Sequence, residues 1–370
     1  MLSLSPFDEY AIHQTPEPVL LPVSSDRNVY DRNWFGGFDV GGQYYFGFTI
    51  GVYPNRGVID CGFSILDSHG VQHCLLASGR APGDRRSLSV GPVIMTVAEP
   101  MRRIVVTVAE NDSGISGELT FTAHSAAVKE PRQVVWSGVR RTTDTTRYNQ
   151  YGRWSGWVQT GEELIEVDAN TCYGVKDRSW GVRRLGEPEL PGPIEPNRPM
   201  FLWSQLFWDD DRVTHALLFD DSEGKALVRD GAEVPIYQSP ADIPGIEDGA
   251  VRQLQIVSHE INHQEGTRWI QAARITAADE SGTLVTIEHT PLRRFHQRGV
   301  GYTHPRWPHG VWQGDSVIDF ERYRPDDLDP TRRENYHVQH LVRVTDGDRQ
   351  GIGILEHFIQ GPYRPAGLTS

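Results

Sequence analysis

The chain has little cysteine, little methionine, no long apolar run and no sustained helical period. Three cysteines stand among 370 residues, Cys61, Cys74 and Cys172, and none forms a C-x-x-C pair. An odd, dispersed set excludes a disulfide framework, so these thiols read as small buried hydrophobes of a reducing, cytoplasmic protein. No apolar stretch approaches the roughly 20 residues of a membrane span, which argues against stable membrane insertion. The start, Met1-Leu2-Ser3-Leu4-Ser5-Pro6-Phe7-Asp8-Glu9, has neither the basic residues nor the apolar block of a signal peptide. Net charge is −13 with scattered Lys and Arg, so no phosphate-neutralising patch for nucleic acid is expected.

Aromatic residues are abundant instead: 10 Trp, 13 Tyr and 13 Phe, with 37 Gly and 24 Pro spread as turn punctuation. That mixture favours sheets over helices. Strand-like runs recur at 44–50, 58–66, 93–97, 103–108 and 118–123, then at 201–208, 213–219, 254–261, 269–275, 284–289, 338–344 and 351–359. In Glu118-Leu119-Thr120-Phe121-Thr122 the alternation is clean, and Asp112-Ser113-Gly114 before it reads as a hairpin turn. Many short strands between regular turns predict an all-β fold of sandwiches or barrels. The length suits two domains. Pro188 to Pro199 holds five prolines and is either a linker or a long loop beside the site, which sets the boundary near position 175.

The densest chemistry lies in Asp177-Arg178-Ser179-Trp180. On a strand, side chains alternate between faces, so Arg178 and Trp180 project together while Asp177 and Ser179 point the other way. A cation beside an indole, with a carboxylate behind it, suits a site that handles positive charge against an apolar wall. The same residues also fit a buried salt bridge plus a core Trp. A second cluster, Gly301-Tyr302-Thr303-His304-Pro305-Arg306-Trp307-Pro308-His309-Gly310-Val311-Trp312-Gln313-Gly314, must be a loop. Its imidazoles titrate near neutrality and suit proton transfer, unless they only satisfy loop carbonyls. Arg56, in the turn at 53–57, can reach a site carboxylate. Glu356 stands among aliphatic residues and, if buried, has a raised pKa, or else pairs with an arginine such as Arg343.

His259-Glu260-Ile261-Asn262-His263 matches H-E-x-x-H, which binds zinc only when a helix brings both imidazoles to one face. Here the surrounding alternation predicts a strand, with Gln264-Glu265-Gly266-Thr267 as its turn. The two imidazoles would then lie roughly 13 Å apart, too far for one metal ion. No metal and no cofactor is expected.

Together the 53–57 turn, Asp177-Arg178-Ser179-Trp180-Gly181, the 301–314 loop, His337-Val338-Gln339 and 351–356 resemble the acyclic carotenoid 1,2-hydratase and AttH-like superfamily. The likeness is nearer to its uncharacterised bacterial members than to the hydratases, and runs from about Asn33 to Gly361. It implies two packed lipocalin-like antiparallel β-barrels, divided as 1–172 and 173–370, with a ligand cavity near their junction. It also implies cofactor-independent chemistry on apolar, isoprenoid-like substrates. In the hydratases the mid-chain motif carries a His and a Trp two residues apart, and a later strand end carries Tyr and Asp. Trp180 matches, Arg178 stands at the His position, and the later pair falls at Phe219 and Asp221. Arginine does not shuttle protons at neutral pH, so the scaffold carries over better than carotenoid hydration does.

The expectation is therefore an acid–base enzyme, a hydratase, dehydratase, isomerase or cyclase. Its substrate would be a lipophilic terpenoid- or steroid-like molecule reacting through a protonated or carbocationic intermediate. Asp177 is the expected acid, with Arg178 orienting it. Tyr302, His304 and His309 handle a second proton, and Trp180, Trp307 and Trp312 offer cation-stabilising faces. Phe219, Asp221, Arg56 and Glu356 complete the substrate pocket. The rival is a binding protein for a hydrophobic small molecule, with no chemistry. A homodimer is the one assembly expected beyond the single chain.

Overall fold

The computed structural model describes residues 5–186 and 199–369, and is built almost wholly of antiparallel strands joined by short 3-10 turns. The proline-rich segment, up to residue 198, lies outside the described residues. The strands form a 14-stranded and a 9-stranded sheet, each curled into a nearly closed barrel, as expected for two lipocalin-like barrels. Among the described residues, no helix is long and apolar enough to cross a membrane.

In the first sheet, Tyr45–Tyr53, Val29–Asp39, Cys172–Val182 and Arg140–Thr160 lie side by side. Cys172–Val182 is hydrogen-bonded to Val29–Asp39 on one side and to Arg140–Thr160 on the other. A division at 172/173 therefore separates this strand from both of its ladders, and the chain changes sheet only after Val182. A further exchange follows: Ser316–Tyr323, from the second half of the chain, adds to the edge of the first sheet along Gln72–Arg80.

Strand alternation sorts the side chains into two environments. One face of the first sheet points into its barrel, where Phe35, Phe46, Phe48, Phe63, Phe121 and Trp154 fill the centre. Trp154 touches Phe35, Phe46 and Phe121 at centroid distances of 5.3–5.6 Å, and its indole N–H donates to Gly36 O at 3.0 Å. Ring packing of this kind adds about 0.5–1.5 kcal/mol per pair beyond area burial. The opposite face packs against the second sheet, so the interior surface between the barrels is built from their outer faces. Trp34, Tyr151 and Val175 there share one apolar cluster with Trp203, Phe207 and Leu217.

Candidate active site

Residues directly opposite on antiparallel strands share a face. The register places Trp34, Asp177 and Asn149 in one row and Arg32, Ser179 and Arg147 in the next. Both rows face the junction, where Trp34 meets Trp203 edge-on at 5.5 Å. Asp177 thus lies opposite one indole, Trp34, and one row from two guanidinium groups, all positioned by backbone hydrogen bonding, while Trp203 reaches Trp34 from the other sheet.

A buried chain of ionisable groups crosses the junction from Asp177. Arg147 Nε lies 3.5 Å from Asp177 Oδ1, and its Nη1 donates to Glu130 Oε2 at 3.3 Å. Glu130, fully buried, also accepts from Asn149 Nδ2 at 2.8 Å and stands 4.0 Å from His215 Nε2 on the second sheet. His215 meets Asp230 Oδ2 at 3.3 Å, and its Nδ1 lies 2.9 Å from the Gln205 amide, whose oxygen accepts from Tyr151 Oη at 2.5 Å. Burial pushes the Asp177 carboxyl up to about 6; Arg147 opposes that rise and the negative charge of Glu130 adds to it. The Asp177 and Arg147 side chains each keep 15 % of their surface accessible, so the acid is reachable. Desolvation disfavours the Arg147 cation, but Glu130 and Asp177 outweigh it and raise its pKa.

The 301–314 loop closes the other side. Gly301, at φ 93°, turns the chain out of the 3-10 segment Gln297–Val300 and presents Tyr302 to the junction. The Tyr302 ring lies under the Arg32 guanidinium at 4.4 Å and edge-on to His309 and His337, both at 4.8 Å. His337 meets Glu356 at 2.6 Å, and Glu356 accepts from Gln339 Nε2 at 2.5 Å. Tyr45 Oη donates to Gln339 in turn. Asp60 accepts from Gly310 N at 2.6 Å and Tyr53 Oη at 3.1 Å, and sits 3.8 Å from His309. Burial, followed by the Arg32 charge, pushes His309 down to about 4. A pocket of about 10 Å³, room for about one water, lies between Asp60, Val300, Trp307 and His309.

The structure therefore brings Asp177, Tyr302, His309, Glu356 and Phe219 to the junction and leaves the other expected residues elsewhere. Arg178 projects from the opposite face, where it pairs with Asp31 and donates to Arg32 O at 3.2 Å. The role of orienting Asp177 passes to Arg147. Trp180 accompanies Arg178 at 5.6 Å and is 40 % exposed; Trp312 lies beside Arg80 and is 45 % exposed. His304 is a loop brace: its Nδ1 accepts from the Arg306 and Trp307 amides while Nε2 meets Glu321 at 3.1 Å. Trp307 donates to Asp319 at 2.8 Å. Phe219 packs on Phe201 at 5.1 Å, whereas Asp221 caps a turn by accepting from the Glu223 and Lys225 amides. Arg56 ties the loop down through Gly310 O and Asn28.

Sequence reasoning missed Arg32, Arg147, Glu130, His215, Asp230 and the Trp34–Trp203 pair. The signal available was the polar Arg147 and Glu130 flanking an aromatic strand; their partners lie across the sheet. The H-E-x-x-H residues sit on the strand Gln255–His263, where His259 meets Asp220 at 3.2 Å and His263 packs on His357 at 5.3 Å. Among the described residues, no group of three or more His, Cys, Asp or Glu side chains is arranged to hold a metal ion.

Solved structures share this architecture at low sequence identity. A protein named AttH from Nitrosomonas europaea superposes with a TM-score of 0.56 at 14 % identity, covering 91 % of this chain and 94 % of its own. Kievitone hydratase from Nectria haematococca gives 0.51 at 12 %, covering 89 % of each chain. CghA with Sch210972 gives 0.51 at 10 %, covering 90 % and 89 %. These likenesses establish the two-barrel fold. No curated protein matches the sequence. A family model matches residues 4–369, nearly the whole chain, and the protein belongs to that family, a family of unknown function (DUF8625).

Proposed function

We propose that the protein is a cofactor-independent acid–base enzyme acting on a lipophilic, terpenoid- or steroid-like substrate at the barrel junction. The observation that carries this reading is Asp177, a largely buried carboxyl pushed up to about 6 opposite Trp34, which Trp203 touches in turn, with Arg147 at 3.5 Å. A carboxyl with a pKa of about 6 is half protonated at pH 6 and keeps a protonated fraction of about one-tenth at pH 7, which makes it a competent general acid. Asp177 gives its proton to an alkene carbon, forming a C–H bond and leaving a cation on the neighbouring carbon. Trp34 and Trp203 stabilise that cation through their faces, and Arg147 stabilises the carboxylate left behind. Water adds to the cation and gives a proton back to the Asp177 carboxylate, or the cation gives a different C–H proton to that carboxylate, in either case directly or after an alkene of the same substrate has closed a ring on the cation. Each route ends by reprotonating Asp177 and uses no cofactor. Likeness to a protein named as a hydratase supports the same class of chemistry.

The test is incubation with linear terpenoids, monocyclic terpenoids and steroids in deuterated water, followed by mass spectrometry. Carbon-bound deuterium in a hydrated, isomerised or cyclised product is the expected result, and Asp177→Asn lowers its rate at least about a hundredfold. Ligand that is retained but unchanged makes the protein a carrier and ends the enzymatic reading.

A further inference from the structure

Arg32 is the most anomalous group at the junction. It is 2 % exposed, and its Nε, Nη1 and Nη2 all lack a hydrogen-bond partner. Its stacking on Tyr302 satisfies the face of the guanidinium but none of its five N–H donors. Two carboxylates act on it through space without accepting from it: Asp60 accepts from Gly310 N and Tyr53, and Asp177 lies 3.5 Å from Arg147 with its Oδ1 left without a hydrogen bond. Those charges and the nearby tyrosines outweigh the burial that would favour its neutral form, so the group is cationic. A buried cation without acceptors is expensive in free energy, and folded proteins seldom keep one. The neighbouring orphans include donors and acceptors: the indole N–H groups of Trp34 and Trp203 are buried and unpartnered, and so are Asp177 Oδ1 and Asn149 Oδ1 in the row of Trp34. Trp34 lies on the same strand face as Arg32, two residues on, and Trp203 touches Trp34.

We infer that the substrate carries a carboxylate at one end of its apolar skeleton, held by the Arg32 guanidinium with the Trp34 and Trp203 N–H groups beside it. The inference rests on the junction being the substrate site. A planar fork of donors matches a carboxylate in bidentate fashion, and charge-assisted bonds of this kind are about twice as strong as neutral ones. Register fixes the geometry further: Arg32 is opposite Ser179, one row from Asp177. A carboxylate at Arg32 thus places the adjoining hydrocarbon against Trp34 and the acid. Arg32 is a specificity-determining residue, separate from the proton donor.

The experiment is titration of the full chain with farnesoic acid, methyl farnesoate, farnesol, cholic acid and 1-naphthoic acid, followed by tryptophan fluorescence and calorimetry. Wild type, Arg32→Gln, Arg32→Lys and Asp177→Asn are compared. Farnesoic acid should bind about tenfold or more tighter than its ester or alcohol. Arg32→Gln should erase that preference while leaving methyl farnesoate affinity within about twofold, which also shows that the variant is folded. Arg32→Lys should keep part of the preference, and Asp177→Asn should keep it all or strengthen it. Equal affinity for acid, ester and alcohol overturns the inference, as does a preference that survives Arg32→Gln, or failure of all three acids to bind. Arg32-dependent acid binding without deuterium incorporation ends the enzymatic reading and leaves this one standing; deuterium incorporation into neutral substrates alone does the reverse.

Discussion

Lowering the pH from about 8 to about 5 should remove on the order of 5 kcal/mol of stability, because buried histidines stay neutral in the folded chain while the unfolded chain takes up protons. Burial pushes His289 and His309 down to about 4 and His340 to about 3, and holds His296 and His357 well below the ordinary value of 6.5. Arginines nearby add to the shift at three of them, Arg32 at His309 and Arg294 at His296 and His340. A histidine whose folded pKa lies below its unfolded one contributes stability above pH 6.5 and loses it as the pH falls. Once the folded value is at or below about 4, the loss by pH 5 depends mainly on the unfolded value and comes to about 2 kcal/mol per site. The three sites with values of about 4 or below, His289, His309 and His340, lose about 6 kcal/mol, His296 and His357 act in the same direction, and Asp177, whose shift has the opposite sign, returns about 1. Whole-domain stability is commonly about 5–15 kcal/mol, so the loss is a large share of it.

The loss is also localised. His289, His296, His340 and His357 all lie on strands of the second sheet, so that barrel should open first. The assay is the urea midpoint by tryptophan fluorescence at several pH values between 8 and 5, with hydrogen exchange to locate the opening. His289 accepts from Ser204 Oγ and faces Ile287 O, contacts that an amide can imitate, so His289→Gln should recover about 2 kcal/mol of the loss at pH 5. A midpoint that stays constant down to pH 5.5, or wild type and His289→Gln falling in parallel, would refute the reasoning.

Turnover on any substrate found by deuterium labelling should fall above about pH 6 as Asp177 ionises, and a rate that is flat to pH 8 removes Asp177 as the acid. Glu130→Gln removes a charge that raises the Asp177 pKa, so the alkaline limb should move down by about 0.5–1 pH unit; an unmoved limb breaks the link between the two. The same substitution weakens the bonds from Arg147 and Asn149, and should lower the urea midpoint by the equivalent of about 1–3 kcal/mol. Gly62→Ala places a Cβ 2.7 Å from Val300 Cα, a backbone atom that has no rotamer to escape into. It should cost about 1–3 kcal/mol and loosen the Tyr302 loop; a midpoint equal to wild type shows that the segment is free to move.

The two-residue period of a strand made much of this legible. It separated Asp177 from Arg178, turned H-E-x-x-H into a strand, and predicted an all-β fold of sandwiches or barrels from run after run of short strands, while the pair of barrels came from the family resemblance. Adjacency misled where register mattered. Arg178 follows Asp177 in sequence, yet the pleat sends it to the other face, while Arg147 arrives from a neighbouring strand through its pairing with Ser179. Its strand, Arg140–Thr160, opens with Arg-Arg-Thr-Thr-Asp-Thr-Thr, which has no apolar alternation because that end faces charge on one side and water on the other. His215 has the same history: Glu130, 4.0 Å from it, belongs to the other half of the junction, and no local pattern encodes a contact across 85 residues, while Asp230 joins the chain of groups only through His215. Arg32 differs. Tyr30, Arg32 and Trp34 alternate with Asp31, Asn33 and Phe35, so one face of an aromatic strand carries a cation between two rings. A cation in that position is either paired with a buried acid or waiting for one from outside. Sequence alone leaves both open; in the structure Asp60 accepts from Gly310 N and Tyr53, Asp177 lies 3.5 Å from Arg147, and the Arg32 nitrogens have no acceptor among the described residues.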